Sequence, residues 1–254
     1  MTGWSIVTPV KPLGQAKSRL RATLPAAVAY FSGPDPLGAL EAPDETGDWH
    51  AEVALAMALD TVAAVLAADR VDRVVVVTDD PVAAAALGAL GAVCVPDTPG
   101  SGLNAALRHG ASVAALLSRT DRRGARGTAT LGADLPALRT AELDVALRTV
   151  ERLGVRSFVP DAAGTGTTLL AAPGRTPLNP AYGPGSALVH ASDGAVDLAS
   201  GGPEIATRRV GPSLRQDVDT AADLAAARAL GLGPRTAALL ASTPSVFPAG
   251  CAAC

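Results

Sequence analysis

The sequence predicts an α/β fold in which helices cover both faces of a central, mostly parallel sheet. Short apolar runs alternate with longer helical segments along the chain, which is the pattern of repeated strand–helix units. One run, 74–77, is four consecutive valines, and such a run is typical of a strand covered on both faces. The 254 residues are enough for a complete core, so we expect one domain over residues 1–240.

The predicted elements follow one another in a regular order. Predicted strands, each a short apolar run, cover residues 4–10, 74–77, 92–95, 128–131 and 157–159. Predicted helices, each a longer Ala- and Leu-rich segment, cover residues 50–68, 81–90, 103–117 and 140–153. Asp80-Pro81 is a good helix start, with the acid as cap and the proline at the first position. Ligands of such sheets lie at the carboxyl ends of the strands, so the residues directly after each strand are the candidate site residues.

Two segments fall outside this pattern. Residues 29–49 are rich in Gly, Pro and acidic residues and lack periodicity, which predicts an inserted loop or a lid. The tail 241–254 is predicted to be disordered. The tail ends in Cys251-Ala-Ala-Cys254, which resembles both a redox pair and a prenylation box, but its place in a frayed tail argues against either.

Composition excludes several classes of protein. A hydrophobic content of 48% argues against a disordered chain, and a net charge of −3 argues against a dedicated nucleic-acid binder. No uncharged apolar run reaches about 18 residues, so we expect no membrane span. The N-terminus lacks the layout of a signal peptide, and three cysteines are too few for a disulfide framework, which predicts a cytoplasmic protein. None of the three histidines has metal-ligand spacing.

The loop after the first strand concentrates positive charge. The chain has 21 basic residues but only two lysines, Lys11 and Lys17, and both lie in this loop. Arg19 and Arg21 add two cations, and the backbone near Gly14 adds N–H donors, which together suit a triphosphate. The two-glycine spacing of a Walker A loop is absent. A solvated basic loop is the alternative, but the position after the first strand favours phosphate binding.

Three acidic residues are candidate metal ligands. Asp134, in the sequence Gly-Ala-Asp-Leu-Pro at 132–136, follows a buried strand, where a carboxylate is costly unless it is paired or bound to a cation. Mg²⁺ prefers carboxylate and phosphate oxygens, although a turn aspartate is an equal alternative. An extended backbone would place Asp217 and Asp219 on one face, where a cation would relieve their repulsion. Asp219 has a second interpretation as the cap of a helix beginning at Thr220, so Asp217 is the better ligand candidate.

Two segments rich in small residues are candidate anion sites. Residues 164–168 (GTGTT) and 182–186 (YGPGS) offer hydroxyl groups and a close approach of the backbone, which suits a phosphate or a carboxylate. Ser186 would open a helix at Ala187, so an anion there would meet a helix N-terminus. Ordinary turns are the alternative, and spacing alone favours them.

Together these segments resemble a known family, the guanylyltransferases that make the activated phospho-acid precursor of the deazaflavin coenzyme F-420. These enzymes act on phosphoenolpyruvate or 2-phospho-L-lactate. The matching segments come in family order, span roughly residues 4–234, and are 10–20, 103–104, 132–138, 164–167, 182–186 and 217–220. Each is weakly specific by itself, and the ordered set is quite specific.

The resemblance implies a single-domain nucleotidyltransferase fold, similar to the molybdenum-cofactor guanylyltransferases and to the GT-A type of nucleotide-diphospho-sugar transferases. It also implies GTP and Mg²⁺. On the family's pattern, the GTP side would comprise Lys11, Gly14, Lys17, Arg19 and Asn104. The phospho-acid side would comprise Thr167, Gly183 and Ser186, and the metal ligands would be Asp134 and Asp217, with Asp219 as a ligand or a supporting residue. Lys17, Arg19, Asp134 and Asp217 would carry the catalysis.

Two departures and two alternatives accompany this resemblance. The family usually has an acidic residue where Gly185 stands, and the segment 29–49 looks like an insertion. A related nucleotidyltransferase acting on a molybdopterin or a sugar phosphate is one alternative, but the loop at 11–14 lacks the glycine-rich pattern of those proteins. A non-catalytic nucleotide-binding protein is the other, and the three retained acids argue against it.

The resemblance also bears on the acceptor. The composition, rich in Ala and with Arg in place of Lys, is typical of actinobacteria. The resemblance implies that family members from these bacteria use phosphoenolpyruvate, so we prefer this acceptor to 2-phospho-L-lactate. We expect no nucleic-acid or membrane partner, and the sequence leaves open whether the protein forms a homodimer.

Overall fold

The computed structural model describes residues 3–16, 19–20, 23, 46–98, 100–120, 126–200 and 210–242. Lys17, residues 29–45 of the predicted insertion and the tail from residue 243 therefore lie outside the described residues. The strands are β1 (Trp4–Pro9), β2 (Val71–Val77), β3 (Val93–Val95), β4 (Gly127–Leu131), β5 (Ser157–Pro160), β6 (Thr167–Pro173) and β7 (Val196–Asp197). The helices are α1 (Thr46–Leu66), α2 (Pro81–Ala89), α3 (Leu103–Thr120), α4 (Thr140–Leu153), α5 (Ser186–Ser192), α6 (Ala221–Leu230) and α7 (Pro234–Ser242). Short 3₁₀ turns cover Leu13–Gln15 and Pro212–Leu214.

Within the described residues, the strands form one seven-stranded sheet in the order β3-β2-β1-β4-β6-β5-β7. Strand β1 pairs in parallel with β2 and β4, β2 pairs in parallel with β3, and β5 pairs in parallel with β7. Strand β6 runs antiparallel between β4 and β5. The predicted α/β class with a mostly parallel sheet is therefore confirmed. The carboxyl ends of β1, β2 and β4 share one edge of the sheet, which is where the predicted site residues lie.

Strand β6 is the longest strand that the sequence did not predict. The short strand β7 and helix α7 were not predicted either, and α7 extends to Ser242, so the prediction that residues 241 and 242 belong to a disordered tail is wrong. The apolar part of β6, Leu169–Ala172, is too short to separate strand from buried helix by periodicity, and the glycines before it indicated only a turn. Its pairing with β4 and β5 makes it a strand that is buried along most of its length. Because β6 runs opposite to β4, its first residues lie beside the carboxyl end of β4, where the N–H of Gly132 donates to the carbonyl of Thr168 at 3.2 Å.

Helix α1 begins earlier than the sequence predicted. We expected the loop to run to residue 49 and the helix to start at His50, but the helix starts at Thr46. Trp49 packs against an apolar cluster that includes Leu224 on α6 and Leu240 on α7, so tertiary packing favours helix in this turn. Residues 46–49 thus belong to the helix and not to the insertion.

Helix α1 is also a core helix. By length and composition alone, Trp49–Leu66 could cross a membrane. In the fold its side chains at Val53, Val62 and Val65 are fully buried. Asp60, in the same helix, accepts hydrogen bonds from the backbone of the first turn of α7, including the N–H of Thr236 at 2.7 Å. The apolar face of α1 is therefore occupied by the protein's own core.

Candidate active site

A cavity of about 320 Å³ opens at the carboxyl ends of β1 and β4. Its walls come from the loop after β1, the segment after β4, the start of β6 and the segment before α6. Among the predicted site residues, those that line it are Lys11, Arg19, Asp134, Thr167, Asp217 and Asp219. The fold thus brings together cations, carboxylates and a hydroxyl group that are up to about 200 residues apart in the sequence.

The loop after β1 is anchored by an acidic residue that the sequence assigned only to a helix cap. Asp80 caps α2 by accepting from the N–H groups of Val82 and Ala83, as predicted. It also accepts from the N–H of Leu13 at 2.8 Å, which ties the predicted phosphate loop to α2. Its hydrogen bonds, that to Ala83 first and that to Leu13 next, hold the pKa of Asp80 below its usual value. Gly14 in this loop is exposed and does not line the cavity.

Two chain segments place the acidic residues in the cavity. The N–H of Val218 donates to the carbonyl of Asp134 at 3.0 Å, which brings the segment before α6 against the end of β4. A Cβ atom at Gly132 would come within 2.5 Å of Oδ1 of Asp134, so the Gly-Ala-Asp sequence needs its glycine to leave room for this carboxyl group. Burial, and then repulsion from Asp134, Asp219 and Asp161, raises the pKa of Asp217 to about 7.

The alternative assignment of Asp219 as a helix cap is wrong. Thr220 caps α6 by accepting from the N–H of Asp223, and Asp223 reciprocates by accepting from the N–H of Thr220, which makes a capping box. The Asp219 carboxylate instead accepts from Nη1 of Arg19 at 3.1 Å. The structure therefore pairs a predicted metal ligand with a predicted triphosphate ligand at the mouth of the cavity.

The carboxylates fit a metal that completes its shell with substrate and water. Within the described residues, no three His, Cys, Asp or Glu side chains are grouped so that they could hold a metal ion among themselves. Mg²⁺ is usually held by one or two carboxylates plus substrate phosphates and water. Asp217 beside Asp134 meets that requirement, because burial and repulsion both oppose the charge on Asp217 and a cation would offset them.

The opposite wall carries linked hydroxyl groups. Oγ of Ser186 lies 3.2 Å from Oγ1 of Thr167, which lies 2.9 Å from Nδ1 of His190. The N–H of Ser186 donates to the carbonyl of Gly183 at 3.1 Å. The structure therefore brings together the three predicted phospho-acid ligands, although Thr167 alone among them lines the cavity. Sequence analysis missed His190, because a lone histidine without metal-ligand spacing carries no signal.

Asn104, predicted on the GTP side, bonds to the backbone of the 182–186 segment. Its amide NH₂ donates to the carbonyl of Tyr182 at 2.9 Å, and its amide oxygen accepts from the N–H of Tyr182 at 2.8 Å. Tyr182 lines the cavity, and its hydroxyl lies 2.8 Å from Oγ1 of Thr130 on β4. Burial raises the pKa of Tyr182 above its usual value, so this phenol stays neutral. Asn104 thus connects the first turn of α3 to the wall that carries Ser186.

Comparison with known sequences shows the family of the chain. No family model matches the chain. A protein of Salinispora arenicola named phosphoenolpyruvate guanylyltransferase is 50% identical over 238 residues, which cover 93% of this chain and 92% of that protein. A protein of Thermomonospora curvata with the same name is 47% identical over 96% of this chain and 92% of its own length. This chain belongs to the phosphoenolpyruvate guanylyltransferase family. The resemblance stated from the sequence motifs is confirmed.

Two solved structures share the fold of this phosphoenolpyruvate guanylyltransferase family member. A crystal structure from Desulfovibrio desulfuricans G20, assigned as a nucleotide-diphospho-sugar transferase, aligns with a TM-score of 0.57 over 97% of both chains at 15% identity. A nucleotidyl transferase from Methanothermobacter aligns with a TM-score of 0.51 over 91% of this chain and 98% of its own at 19% identity. These likenesses confirm the predicted fold class.

Proposed function

We propose that this protein transfers GMP from GTP to phosphoenolpyruvate, releasing pyrophosphate and forming enolpyruvyl-diphospho-guanosine for coenzyme F-420 biosynthesis in the cytoplasm. The observation that carries the proposal is a single cavity lined by Lys11, Arg19, Asp134, Asp217 and Thr167. A reaction between two phosphate compounds needs cations for the triphosphate, carboxylates for a divalent metal and neutral donors for the acceptor anion. The names of the relatives, at 50% and 47% identity, favour phosphoenolpyruvate over 2-phospho-L-lactate.

In the proposed reaction, an oxygen of the acceptor phosphate attacks the α-phosphorus of GTP. The bond from the α-phosphorus to the oxygen that bridges it to the β-phosphate breaks, and pyrophosphate leaves with the bonding electrons. No protein group becomes covalently attached. The work of the protein is therefore to align the two phosphates and to balance charge in the transition state.

The loop after β1 would bind the GTP phosphates. Lys11 and Arg19 line the cavity, and with Lys17 they would neutralise negative charge as it develops on pyrophosphate. Asp80 would keep the loop in place through the N–H of Leu13. Gly14 and Asn104 belong to the GTP side of the site in this proposal.

Asp134 and Asp217 would hold Mg²⁺, with Asp219 beside them. When bound, the metal would neutralise phosphate charge and orient the α-phosphate relative to the acceptor. The Arg19 guanidinium already pairs with Asp219 and would remain within reach of the triphosphate. On the opposite wall, Thr167, Gly183 and Ser186 would bind the phospho-acid through hydroxyl and backbone donors.

The direct test is to identify the product. The protein is incubated with Mg²⁺ and each nucleoside triphosphate in turn, with phosphoenolpyruvate or 2-phospho-L-lactate, and the product is identified by mass. We expect one main product, from GTP and phosphoenolpyruvate, together with an equal amount of pyrophosphate. GTP binding without turnover with either acid would contradict the proposal.

The metal ligands are tested by Asp217→Asn. We expect pyrophosphate release to fall at least 100-fold, because one carboxylate of the metal site is lost. Asp72→Asn is the matched control, because that exposed acidic residue pairs with Arg73 on β2 and does not line the cavity. Unchanged activity and unchanged magnesium dependence in the Asp217 variant would remove this residue from the mechanism.

A further inference from the structure

His190 lies behind the proposed acceptor wall and has a partner at each ring nitrogen. It is on α5, one turn after Ser186, and only 1% of its surface is exposed. Nε2 accepts a hydrogen bond from the N–H of Ala181 at 3.0 Å, and Nδ1 lies 2.9 Å from Oγ1 of Thr167. The ring also packs edge-on against Tyr182, at 5.4 Å between ring centroids.

These partners fix the tautomer of the ring. A backbone N–H can only donate, so Nε2 must be unprotonated, and the single ring proton of a neutral histidine must lie on Nδ1. Burial lowers the pKa of His190, and the charge of Arg156 adds to this, although Asp193 acts in the opposite direction. The ring is therefore neutral at neutral pH, and Nδ1–H donates to the Thr167 hydroxyl.

This donation decides where the hydroxyl hydrogens can go. Thr167 and Ser186 have one hydroxyl hydrogen each, and one of the two is used in the 3.2 Å bond between them. Thr167 cannot donate to His190, because the facing nitrogen already carries a proton. One hydroxyl hydrogen of the pair is therefore left to donate to a third group, and Thr167 lines the cavity.

We propose that His190 is a positioning residue that directs this remaining hydroxyl hydrogen toward the anionic acceptor. With the other tautomer, Thr167 would donate to the ring, and the pair would present an acceptor oxygen to the phosphate or carboxylate. The inference rests on the proposed function, because it takes the acceptor to be the anion beside Thr167. His190 itself does not touch substrate in this proposal.

Two substitutions at this position separate the two ring contacts. His190→Asn places an amide near the position of Nδ1 and can still donate to Thr167, whereas His190→Gln places its amide near Nε2 and can satisfy only Ala181. We expect His190→Gln to raise the KM for phosphoenolpyruvate roughly tenfold or more, with the KM for GTP changed less than about twofold. We expect His190→Asn to keep the acceptor KM close to that of the wild type, although Asn is one methylene smaller than Gln and leaves the larger gap in the packing. Equal acceptor KM values for the two variants would overturn the inference.

A double-mutant cycle tests whether His190 acts through Thr167. Thr167→Val removes the hydroxyl, so adding His190→Gln to that variant should change the acceptor KM less than about twofold. An additive effect would show that His190 acts by another route and would overturn the proposal. If the wild-type protein makes no product from GTP and phosphoenolpyruvate, that result contradicts the proposed function. It is distinct from an additive effect in the cycle, which contradicts only the role of His190.

The tautomer can be measured without any variant. The chain has three histidines, so ¹⁵N-edited imidazole spectra with His50 and His109 replaced one at a time would assign the signals of His190. We expect a neutral ring protonated at Nδ1 at pH 7.5, with or without phosphoenolpyruvate. A ring protonated at Nε2, or a doubly protonated ring, would overturn the inference even if the His190 variants did not fold.

Discussion

The folded structure disfavours ionisation of the Asp217 carboxyl group, which lines the cavity. Burial and the charges of Asp134, Asp219 and Asp161 raise its pKa to about 7, and an unfolded aspartate ionises near 3.8. Between these values the folded state holds a proton that the unfolded state has released. Stability of the metal-free protein should therefore fall as the pH rises from about 4 to 7, and the penalty should be complete above pH 7.

This linkage gives a prediction at the level of one residue. Asp217→Asn cannot ionise, so in EDTA it should be more stable than the wild type, by about 2 kcal/mol more at pH 8 than at pH 5. Urea unfolding of both proteins across this pH range measures the difference. A stability difference that stays constant with pH would show that Asp217 has an ordinary pKa. Added Mg²⁺ should reduce the advantage of the variant, because bound metal stabilises only the ionised carboxylate.

Asp219 should matter for activity and not for stability. Its ion pair with Arg19 is largely exposed, with side-chain exposures of 44% and 75%, and such pairs contribute about 1 kcal/mol or less. The side chains of Thr220 and Asp223 cap α6, so the Asp219 carboxylate is not part of that cap. We expect Asp219→Asn to lower kcat roughly tenfold or more, with the free energy of unfolding changed by less than about 1 kcal/mol. An unchanged kcat together with a clear loss of stability would show that Asp219 is a structural residue.

At the level of elements, the loop after β1 is held by α2, which lies about 65 residues further along the chain. Asp80 caps α2 and holds the N–H of Leu13 in the loop, whereas the capping box of Thr220 and Asp223 holds the N–H of Asp219 at the start of α6. Both caps therefore stabilise a helix, but Asp80 also holds the backbone of the loop that carries Lys11.

Asp80→Ala and Thr220→Ala form a matched pair. Each should lower the free energy of unfolding by about 1 to 2 kcal/mol, because each removes a helix cap. Only Asp80→Ala should also raise the KM for GTP, by severalfold, because the loop that carries Lys11 loses its anchor. Denaturant unfolding and steady-state kinetics on both variants separate the two effects. Equal KM values for GTP would show that the loop does not need Asp80.

At the level of the whole molecule, a stabilising group of polar contacts and the candidate active site lie at opposite ends of the strands. Near the amino ends of the strands, Glu151 on α4 accepts from Nε1 of Trp4 at 2.8 Å and pairs with Arg70 and Arg126. These partners stand at or just before β1, β2 and β4, so one carboxylate ties together three neighbouring strands and a helix.

Glu151→Ala should therefore destabilise the fold without altering the site. We expect the free energy of unfolding to fall by about 2 kcal/mol, because Trp4 and Arg70 lose a partly buried partner. Both KM values should stay within about twofold of the wild type. Asp72→Ala is the control near the same ends of the strands, because the Asp72 side chain is 38% exposed against 20% for Glu151, and its pair with Arg73 should contribute less than about 1 kcal/mol. A changed KM would mean that the two edges of the sheet are coupled.

The sequence predicted those parts of the site that are continuous in the chain. The loop at 11–19 and Asp134 follow directly from strands with a clear apolar pattern, and their place at the carboxyl edge is a consequence of parallel pairing. It could not predict β6, because Leu169–Ala172 is compatible with strand or helix until neighbours are present. It also gave no role to His190, because the two groups that define its tautomer are 9 and 23 residues away.

The sequence by itself determined the fold class, the family and the identity of the charged residues, because these depend on local patterns and on motifs in a fixed order. Only the tertiary structure decided how those residues act on one another. It raised the pKa of Asp217, paired Arg19 with Asp219, gave Asp80 a second partner and oriented Thr167 through His190. The physical reason is that burial, Coulomb interaction and hydrogen bonding depend on distance in space, which the order of residues along a chain does not fix.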